Sequence, residues 1–191
     1  MLEKLNGTFA SGDQIQVPYI MPNGVNVDFD VYQYLTEDND GMPDGWYDGG
    51  WGYVGDTVGL PQGSAVWYYS VNGSGNVTVS GEVSKLPFSK TFSDLYTMEA
   101  SGFPISFNPN DAKFSWSMSS GDQIQVPFTM ENGVNVNYDV YQYLTEDDDG
   151  MPNGWYDGGW GEISHIADVG QGFWVYAPNG GSVTEISPIA E

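Results

Sequence analysis

The chain has 191 residues, of which 26 are acidic and only four are basic, so its net charge is −22 at pH 7. This charge excludes nucleic acid as an expected partner, because phosphate binding needs clustered Lys and Arg, and it argues against anionic membrane surfaces. Hydrophobic residues make up 40% and aromatic residues 15% of the chain, which indicates a folded protein rather than a disordered one. Cysteine is absent, and no apolar run approaches the ~20 residues that span a bilayer, so neither disulfides nor membrane insertion are expected.

A stretch of 42 residues occurs twice in the sequence. Residues 11–52 and 120–161, offset by 109, are identical at 35 of 42 positions. A chain of this length suits one large domain or two small ones, and the duplication favours two. We therefore predict one domain over residues 1–84 and a second over residues 85–191.

Each copy opens with a predicted β-hairpin. Polar and apolar residues alternate over 14–19, as in a half-buried strand. Asn23-Gly24 is the strongest two-residue hairpin signal, because both turn positions need positive φ. Pro18 cannot donate a ladder hydrogen bond, so its strand is expected at a sheet edge or with a bulge. The return strand places five apolar residues on one face: Val25, Val27, Phe29, Val31 and Leu35.

An acidic, glycine-rich loop follows the hairpin. Four acidic side chains fall within residues 37–44 and repel one another unless something neutralises them. Calcium takes about six to eight hard oxygen ligands, and this loop offers the carboxylates of Asp38, Asp40 and Asp44 with the backbone carbonyl of Met42. The alternative is a polar loop in which the carboxylates are solvated and the glycines form turns.

The residues from Asp38 to Trp46 resemble the calcium loop of thrombospondin type 3-like repeats, found in secreted and cell-surface bacterial proteins. The resemblance implies calcium as a cofactor in both copies. The second loop would contribute Asp147, Asp149, Met151 and Asn153. The pattern's opening Asp is replaced by Thr36 and Thr145 and its closing Glu by Tyr47 and Tyr156, so Asp48 and Asp157 are expected to take the closing place. Because Asn153 is uncharged, the second site is expected to be the weaker one.

Aromatic residues follow each acidic loop. One interpretation is a stacking platform for glycans; the other places these side chains in the core or in cross-strand pairs. The platform residues would be Trp46, Tyr47, Trp51, Trp155, Tyr156 and Trp160.

Residues 85–119 occur only once. The part at 92–111 is expected to supply the second copy with an opening strand, whereas the first copy has no such segment ahead of it and is expected to be truncated at its front. A bare sheet edge pairs with other chains. Copies of the protein are therefore expected partners, joined head to tail by strand addition into a filament or array.

Catalysis is not expected. His165 is the single histidine and lies where the copies diverge, and neither a Gly-x-Ser-x-Gly motif nor a phosphate loop occurs. A carboxylate pair is no specific signal among 26 acidic residues. Residues 171–175 resemble the closing strand of repeat modules in large secreted bacterial proteins.

These observations predict an all-β protein of two tandem, internally duplicated β-sandwich-like domains. The 26 glycines and 11 prolines punctuate short strands, and no window shows a 3.6-residue period. The expected function is that of a non-catalytic secreted or cell-surface structural or adhesive repeat protein, stabilised by calcium. The alternative is a carbohydrate-binding module.

Overall fold

The computed structural model describes residues 4–23, 26–55, 62–73, 77–80, 82–93, 95–130 and 136–190. Gly24 and Val25 of the first predicted hairpin, and the corresponding Asn-Gly turn of the second copy at 132–133, lie outside these residues. Within them the protein is all-β, as predicted, with two helices of a single turn each.

The strands and helices follow one another in this order: β1 Lys4–Gly7, β2 Gln14–Ile20, β3 Val27–Leu35, α1 Glu37–Asp40, β4 Gly45–Tyr47, β5 Tyr53–Gly55, β6 Trp67–Tyr69, β7 Val77–Ser80, β8 Phe88–Phe92, β9 Tyr96–Glu99, β10 Phe114–Ser117, β11 Gln123–Thr129, β12 Val136–Leu144, α2 Glu146–Asp149, β13 Gly154–Tyr156, β14 Phe173–Tyr176 and β15 Gly181–Glu185.

The chain divides into two compact units. The first comprises residues 1–19 and 27–82, and the second comprises residues 20–26 and 83–191. The first contains a five-stranded sheet in the order β5-β4-β3-β2-β6 and a two-stranded sheet, β1-β7. The second contains a five-stranded sheet in the order β13-β12-β11-β14-β9 and a three-stranded sheet, β10-β15-β8.

The second unit is built like a β-sandwich. Phe92 and Val183 from the three-stranded sheet share one core with Ile124, Trp155 and Phe173 from the five-stranded sheet. All five side chains are nearly inaccessible to solvent. This burial of apolar surface between two sheets is the main stabilising contribution to the unit.

The same tryptophan of the duplicated stretch is buried in the core of each unit. Trp46 and Trp155 are both 0% exposed. Trp46 packs edge-on against Phe9 and Tyr34, with ring centroids 5.0 and 5.3 Å away. Trp155 makes equivalent contacts of 5.1 Å to Trp116 and 5.2 Å to Tyr143. The core interpretation of these tryptophans agrees with this geometry.

The residues of the return strand that pack against the buried tryptophan are tyrosines rather than valines. In β3 the side chains that pack on the core are Tyr32 and Tyr34, whereas Val31 is 38% exposed. In β12 the valines at 136 and 140 are likewise exposed. Tyrosine rings thus fill the space around the buried tryptophan and Val31 points outwards, while Leu35, on the same side of the strand as Val31, is 2% exposed.

Pro18 and Pro127 lie in interior strands of their sheets, whereas the sequence predicted an edge strand or a bulge at Pro18. In the second unit, β11 pairs with β14 only over residues 123–125, whereas it pairs with β12 over residues 123–129. Pro127 therefore lies beyond the end of the β14 ladder, where β11 has a neighbour on one side only among the described residues. Pro18 is placed in the same way, since β2 pairs with β6 only over residues 14–16. A missing N–H costs nothing at such a position.

Truncation of the buried tryptophan should destabilise its unit strongly. We expect Trp155→Ala to lower the free energy of unfolding by about 3 to 5 kcal/mol, because it removes a buried aromatic side chain and leaves a cavity. The matched control is Trp160→Ala, five residues away and 60% exposed, which should change it by less than about 0.5 kcal/mol. Chemical denaturation of both variants measures the difference. Equal losses would contradict the assignment of Trp155 to the core.

Candidate functional site

The acidic loop of the first copy folds into a single helical turn that its own side chains cap. Gly41 ends the turn in the left-handed conformation, with φ 68°, and its N–H donates to the Glu37 carbonyl. The Asp40 carboxylate accepts hydrogen bonds from the Thr36 N–H, at 3.1 Å, and from the Ser11 hydroxyl. Asp44 Oδ1 accepts from the Glu37 N–H at 2.9 Å. The carboxylates thus satisfy backbone donors that the short helix leaves without partners.

The second loop repeats this arrangement. Asp149 Oδ2 accepts from the Thr145 N–H at 2.9 Å and from the Ser120 hydroxyl at 2.7 Å. Asn153 Oδ1 accepts from the Glu146 N–H at 2.9 Å. An amide oxygen therefore does in this copy what a carboxylate oxygen does at Asp44. The position requires a hydrogen-bond acceptor, whether or not it carries a charge.

Two carboxylates of the loops have lowered pKa values. The hydrogen bond from the Ser11 hydroxyl, followed by that from the Thr36 N–H, lowers the pKa of Asp40. The Ser120 hydroxyl and the Thr145 N–H do the same for Asp149. Both carboxylates are therefore held in the ionised, accepting form.

The described residues do not gather the predicted calcium ligands. No group of three or more His, Cys, Asp or Glu side chains among them is arranged to hold a metal ion. Asp38 and Asp147 are exposed on their helical turns, and Asp48 and Asp157 belong to the next turn along the chain. The side chains of Asp40 and Asp44 accept hydrogen bonds from the loop's own backbone. Calcium binding stays a prediction of the sequence.

Four of the six proposed platform aromatics are buried. Trp46 and Trp155 are inaccessible to solvent, and Tyr47 and Tyr156 are 2% and 7% exposed. The hydroxyls of these tyrosines donate to the carbonyls of Pro43 and Pro152. None of the four has a ring face free to stack on a sugar.

Trp51 and Trp160 are the two exposed members of the predicted platform. They are 65% and 60% exposed and have positive φ values of 65° and 66°. Each sits in a short turn that an aspartate holds closed. In the first copy, Asp48 Oδ1 accepts from the N–H groups of Gly50 and Gly52, at 2.9 and 2.7 Å. In the second, Asp157 makes the same two hydrogen bonds at 2.8 Å each, to Gly159 and Gly161.

One buried aspartate at the front of each copy, Asp13 and its counterpart Asp122, was not predicted from the sequence. Asp13 is 2% exposed and accepts hydrogen bonds from the Ala10 N–H, the Tyr68 hydroxyl and the Val71 N–H. Burial alone would raise the pKa of Asp13, but these hydrogen bonds outweigh burial and lower it. Asp122 is 1% exposed and accepts from the Ser119 N–H. Burial raises the pKa of Asp122, opposed by that hydrogen bond.

A further pair of buried acids, Glu99 and Glu185, lies in the second unit. Both line a cavity of about 20 Å³, roughly the size of one water molecule, together with Ser101, Phe107 and Phe173. Glu185 accepts from the Ser101 hydroxyl at 2.6 Å and from the Gly102 N–H at 2.8 Å. Glu185 could have been identified from the sequence, because it is an acidic residue at an inward-facing position of an alternating strand.

Glu99 forms an ion pair with Lys90. The Lys90 Nζ lies 2.9 Å from Glu99 Oε1, although their geometry is not that of a hydrogen bond. Burial raises the pKa of Glu99 to about 7, against the opposing effect of Lys90. Burial also raises the pKa of Glu185, opposed by its hydrogen bonds from Ser101 and Gly102 and by Lys113. Because the pKa values of Glu99 and Glu185 are both raised, the stability of the second unit is expected to depend on pH.

His165 lies at the surface. Its Nε2 is 3.2 Å from Asp168 Oδ1, and both side chains are more than half exposed. It borders a surface hollow of about 480 Å³ that also includes Asp111, Lys113 and Ser164. No nucleophile is hydrogen-bonded to the imidazole in the described part of the chain, so this hollow offers no basis for a catalytic mechanism.

Comparison of the chain with protein-family models, with curated proteins and with solved structures gave no match. Among the described residues, no helix is long and apolar enough to cross a membrane.

The capping role of Asp44 gives a test of the calcium prediction. Without calcium, Asp44→Asn should change the free energy of unfolding by less than about 0.5 kcal/mol, because Asn153 shows that an amide makes the same hydrogen bond. Asp44→Ala should cost about 1 kcal/mol, as loss of a cap does. Thermal unfolding is then repeated in millimolar calcium. If the first loop binds calcium through the Asp44 carboxylate, the wild type gains stability and Asp44→Asn gains less. If calcium changes the thermal stability of neither protein, the calcium prediction is wrong.

The Glu99 carboxyl should make stability fall as pH rises. Its pKa is about 7 in the folded protein and 4.5 ordinarily, so the folded state holds a proton that the unfolded state releases between these pH values. Glu99→Gln removes this effect. The difference in unfolding free energy, variant minus wild type, should increase between pH 4.5 and 7 by up to about 3 kcal/mol.

Urea denaturation across this pH range measures the slope for Glu99→Gln. The control is Glu162→Gln, which alters an exposed carboxylate in the same unit and should show no comparable slope. Parallel pH profiles for wild type and Glu99→Gln would show that Glu99 is not protonated in the folded protein.

Proposed function

We propose that the protein is a non-catalytic structural repeat protein of the secreted or cell-surface kind, made of two duplicated β-sandwich-like domains that join copies head to tail by strand addition. One observation carries this proposal: the five-stranded sheet of the second unit has an edge strand that the first unit lacks among the described residues. The resemblance of the acidic loop to repeats of secreted bacterial proteins supports the extracellular setting.

The corresponding strands of the two units follow from their registers. β6 pairs with β2 so that Trp67 is opposite Gln16, and β14 pairs with β11 so that Trp174 is opposite Gln125. Gln16 and Gln125 are the same position of the duplicated stretch. The two edges can therefore be compared residue by residue, with β6 in the place of β14.

The outer edge of β14 is covered by β9. The two strands pair antiparallel, with Trp174 opposite Met98 and Val175 opposite Thr97. In the first unit β6 is the last strand of its sheet among the described residues, and Tyr69 on it is 55% exposed. An edge of this kind presents unpaired backbone groups that another strand can complete.

A second copy of the chain offers a matching edge. β9 is the last strand of its own sheet among the described residues, so its outer side has no ladder partner there. Pairing of β6 in one copy with β9 in the next would extend one sheet into another. The two surfaces are different, so the contact is heterologous and continues into a filament or array unless it closes a ring. The net charge of −22 opposes this association, so salt should promote it.

The test is the concentration dependence of sedimentation in about 0.15 M and 0.5 M sodium chloride. We expect the wild type to associate, more strongly at higher salt. Tyr69→Lys should prevent association, because a lysine on an edge strand blocks pairing. Tyr53→Lys is the matched control: Tyr53 is 54% exposed and lies on β5, at the opposite edge of the same sheet.

Tyr53→Lys should associate like the wild type. A wild-type monomer at high protein concentration in both salts would refute strand addition. Loss of association in both variants would show that the contact is not specific to β6.

A further inference from the structure

Trp51 and Trp160 lie in corresponding turns of the two copies. Each has a positive φ, which glycine adopts more easily than tryptophan does. In the first copy the Trp51 N–H donates to the Asp48 carbonyl, and the Asp48 N–H donates to the Gly52 carbonyl, each at 3.0 Å. Trp51 precedes Gly52, at which the turn closes, and adopts the left-handed conformation. A bulky residue rarely adopts this conformation, whereas glycine does so freely.

Glycine is abundant in this turn but absent from the position that needs it. Gly49, Gly50 and Gly52 surround Trp51, and none of the three has positive φ. Gly52 is needed for another reason: a Cβ there would lie 2.9 Å from Asp48 Oδ2. The second turn repeats the pattern, with a Cβ on Gly161 placed 3.0 Å from Asp157 Oδ2. The turn is thus built around the aspartate and the strained tryptophan.

The side chains of Trp51 and Trp160 add little packing to the fold. The rings of Trp51 and Trp160 are more than half exposed, and neither makes a ring contact or joins a core cluster in the described part of the chain. Strained backbone that contributes no packing is typical of ligand-binding positions. Both copies have the same tryptophan at the same φ, although the copies diverge directly after this turn.

We infer that each Asp-Gly-Gly-Trp-Gly turn, at residues 48–52 and 157–161, is a binding site for a cationic side chain, arginine or lysine, of a basic partner protein. The tryptophan face is the best aromatic surface for a cation. The aspartate uses Oδ1 for the turn, and Oδ2 has no hydrogen-bond partner among the described residues. A guanidinium or ammonium group can therefore contact the ring and the free carboxylate oxygen together.

Charge complementarity selects the cation over other ligands. The chain carries 26 acidic residues against four lysines, so its field enriches cations at the surface and repels anions. A neutral sugar could also stack on tryptophan, but it gains nothing from this field. The chain has no arginine and few lysines, so a further copy of itself is a poor source of the cationic group. The site is independent of strand addition at β6.

The test uses a fluorescently labelled octa-arginine peptide and the full 191-residue protein in about 0.15 M salt, which screens long-range attraction. The variant Trp51→Gly/Trp160→Gly keeps every charge and releases the strain. It should melt a few degrees higher than the wild type. It should also bind the peptide about two- to five-fold more weakly for each site lost, the range expected for an exposed cation–π contact.

Two further variants distinguish the contribution of the aromatic face from that of apolar bulk. Trp51→Phe/Trp160→Phe keeps an aromatic face and should retain part of the affinity, whereas Trp51→Leu/Trp160→Leu keeps only apolar bulk and should bind like the glycine variant. Unchanged peptide binding in the glycine variant, or a lower melting temperature, would overturn the proposal. Leucine variants that bind like the wild type would overturn it in favour of apolar docking. Tryptophan-dependent binding of a neutral oligosaccharide, with none of the peptide, would show that the ligand is a sugar.

Discussion

The duplicated stretch depends on side-chain oxygens that accept hydrogen bonds from the backbone of their own loops. A helical turn of four residues and a tight turn directly after β4 leave several N–H groups without main-chain partners, and Asp40, Asp44 and Asp48 supply the acceptors. Acceptor demand thus accounts for Asp40 and Asp44, two of the four acidic side chains in residues 37–44. The exchange of Asp44 for Asn153 shows that this position needs an acceptor and not a charge.

Outside the loops, the two units reach similar packing by different contacts. The Tyr68 hydroxyl donates to buried Asp13, but the residue opposite Ile124 at the same register is Val175, which has no hydroxyl. Burial raises the pKa of both aspartates, which are the same position of the duplicated stretch. For Asp13 the hydrogen bonds from Ala10, Tyr68 and Val71 outweigh burial and lower the pKa, whereas the hydrogen bond from Ser119 does not outweigh it for Asp122. The backbone of the buried tryptophan is held in two ways as well. Trp46 pairs with Gly55 on β5, whereas in the second unit the Asn110 side chain binds both the N–H and the carbonyl of Trp155.

Much of the fold followed from the sequence because its signals are local. The alternating pattern, the turn residues and the duplication predicted an all-β chain, and cross-strand aromatic preference pointed to a buried Trp46. The face of β3 that turns inwards could not be predicted, since Tyr32 and Val31 are both good strand residues and the choice depends on what surrounds the tryptophan. The buried acids were missed for a related reason. Glu99 is separated by eight residues from Lys90, and their contact exists only because β8 and β9 belong to facing sheets of one sandwich.

The edge of β6 and the two tryptophan turns are features that folding alone does not explain. In the described part of the chain, the β6 edge has no ladder partner, and each tryptophan turn places a bulky residue in a conformation suited to glycine. The net charge acts on them in opposite ways. It repels a second copy of the same acidic chain and attracts a cationic group, so salt that screens the charge favours strand pairing and weakens contact with a basic partner. If both proposals hold, low salt favours contact at the tryptophan turns and high salt favours pairing at the sheet edge.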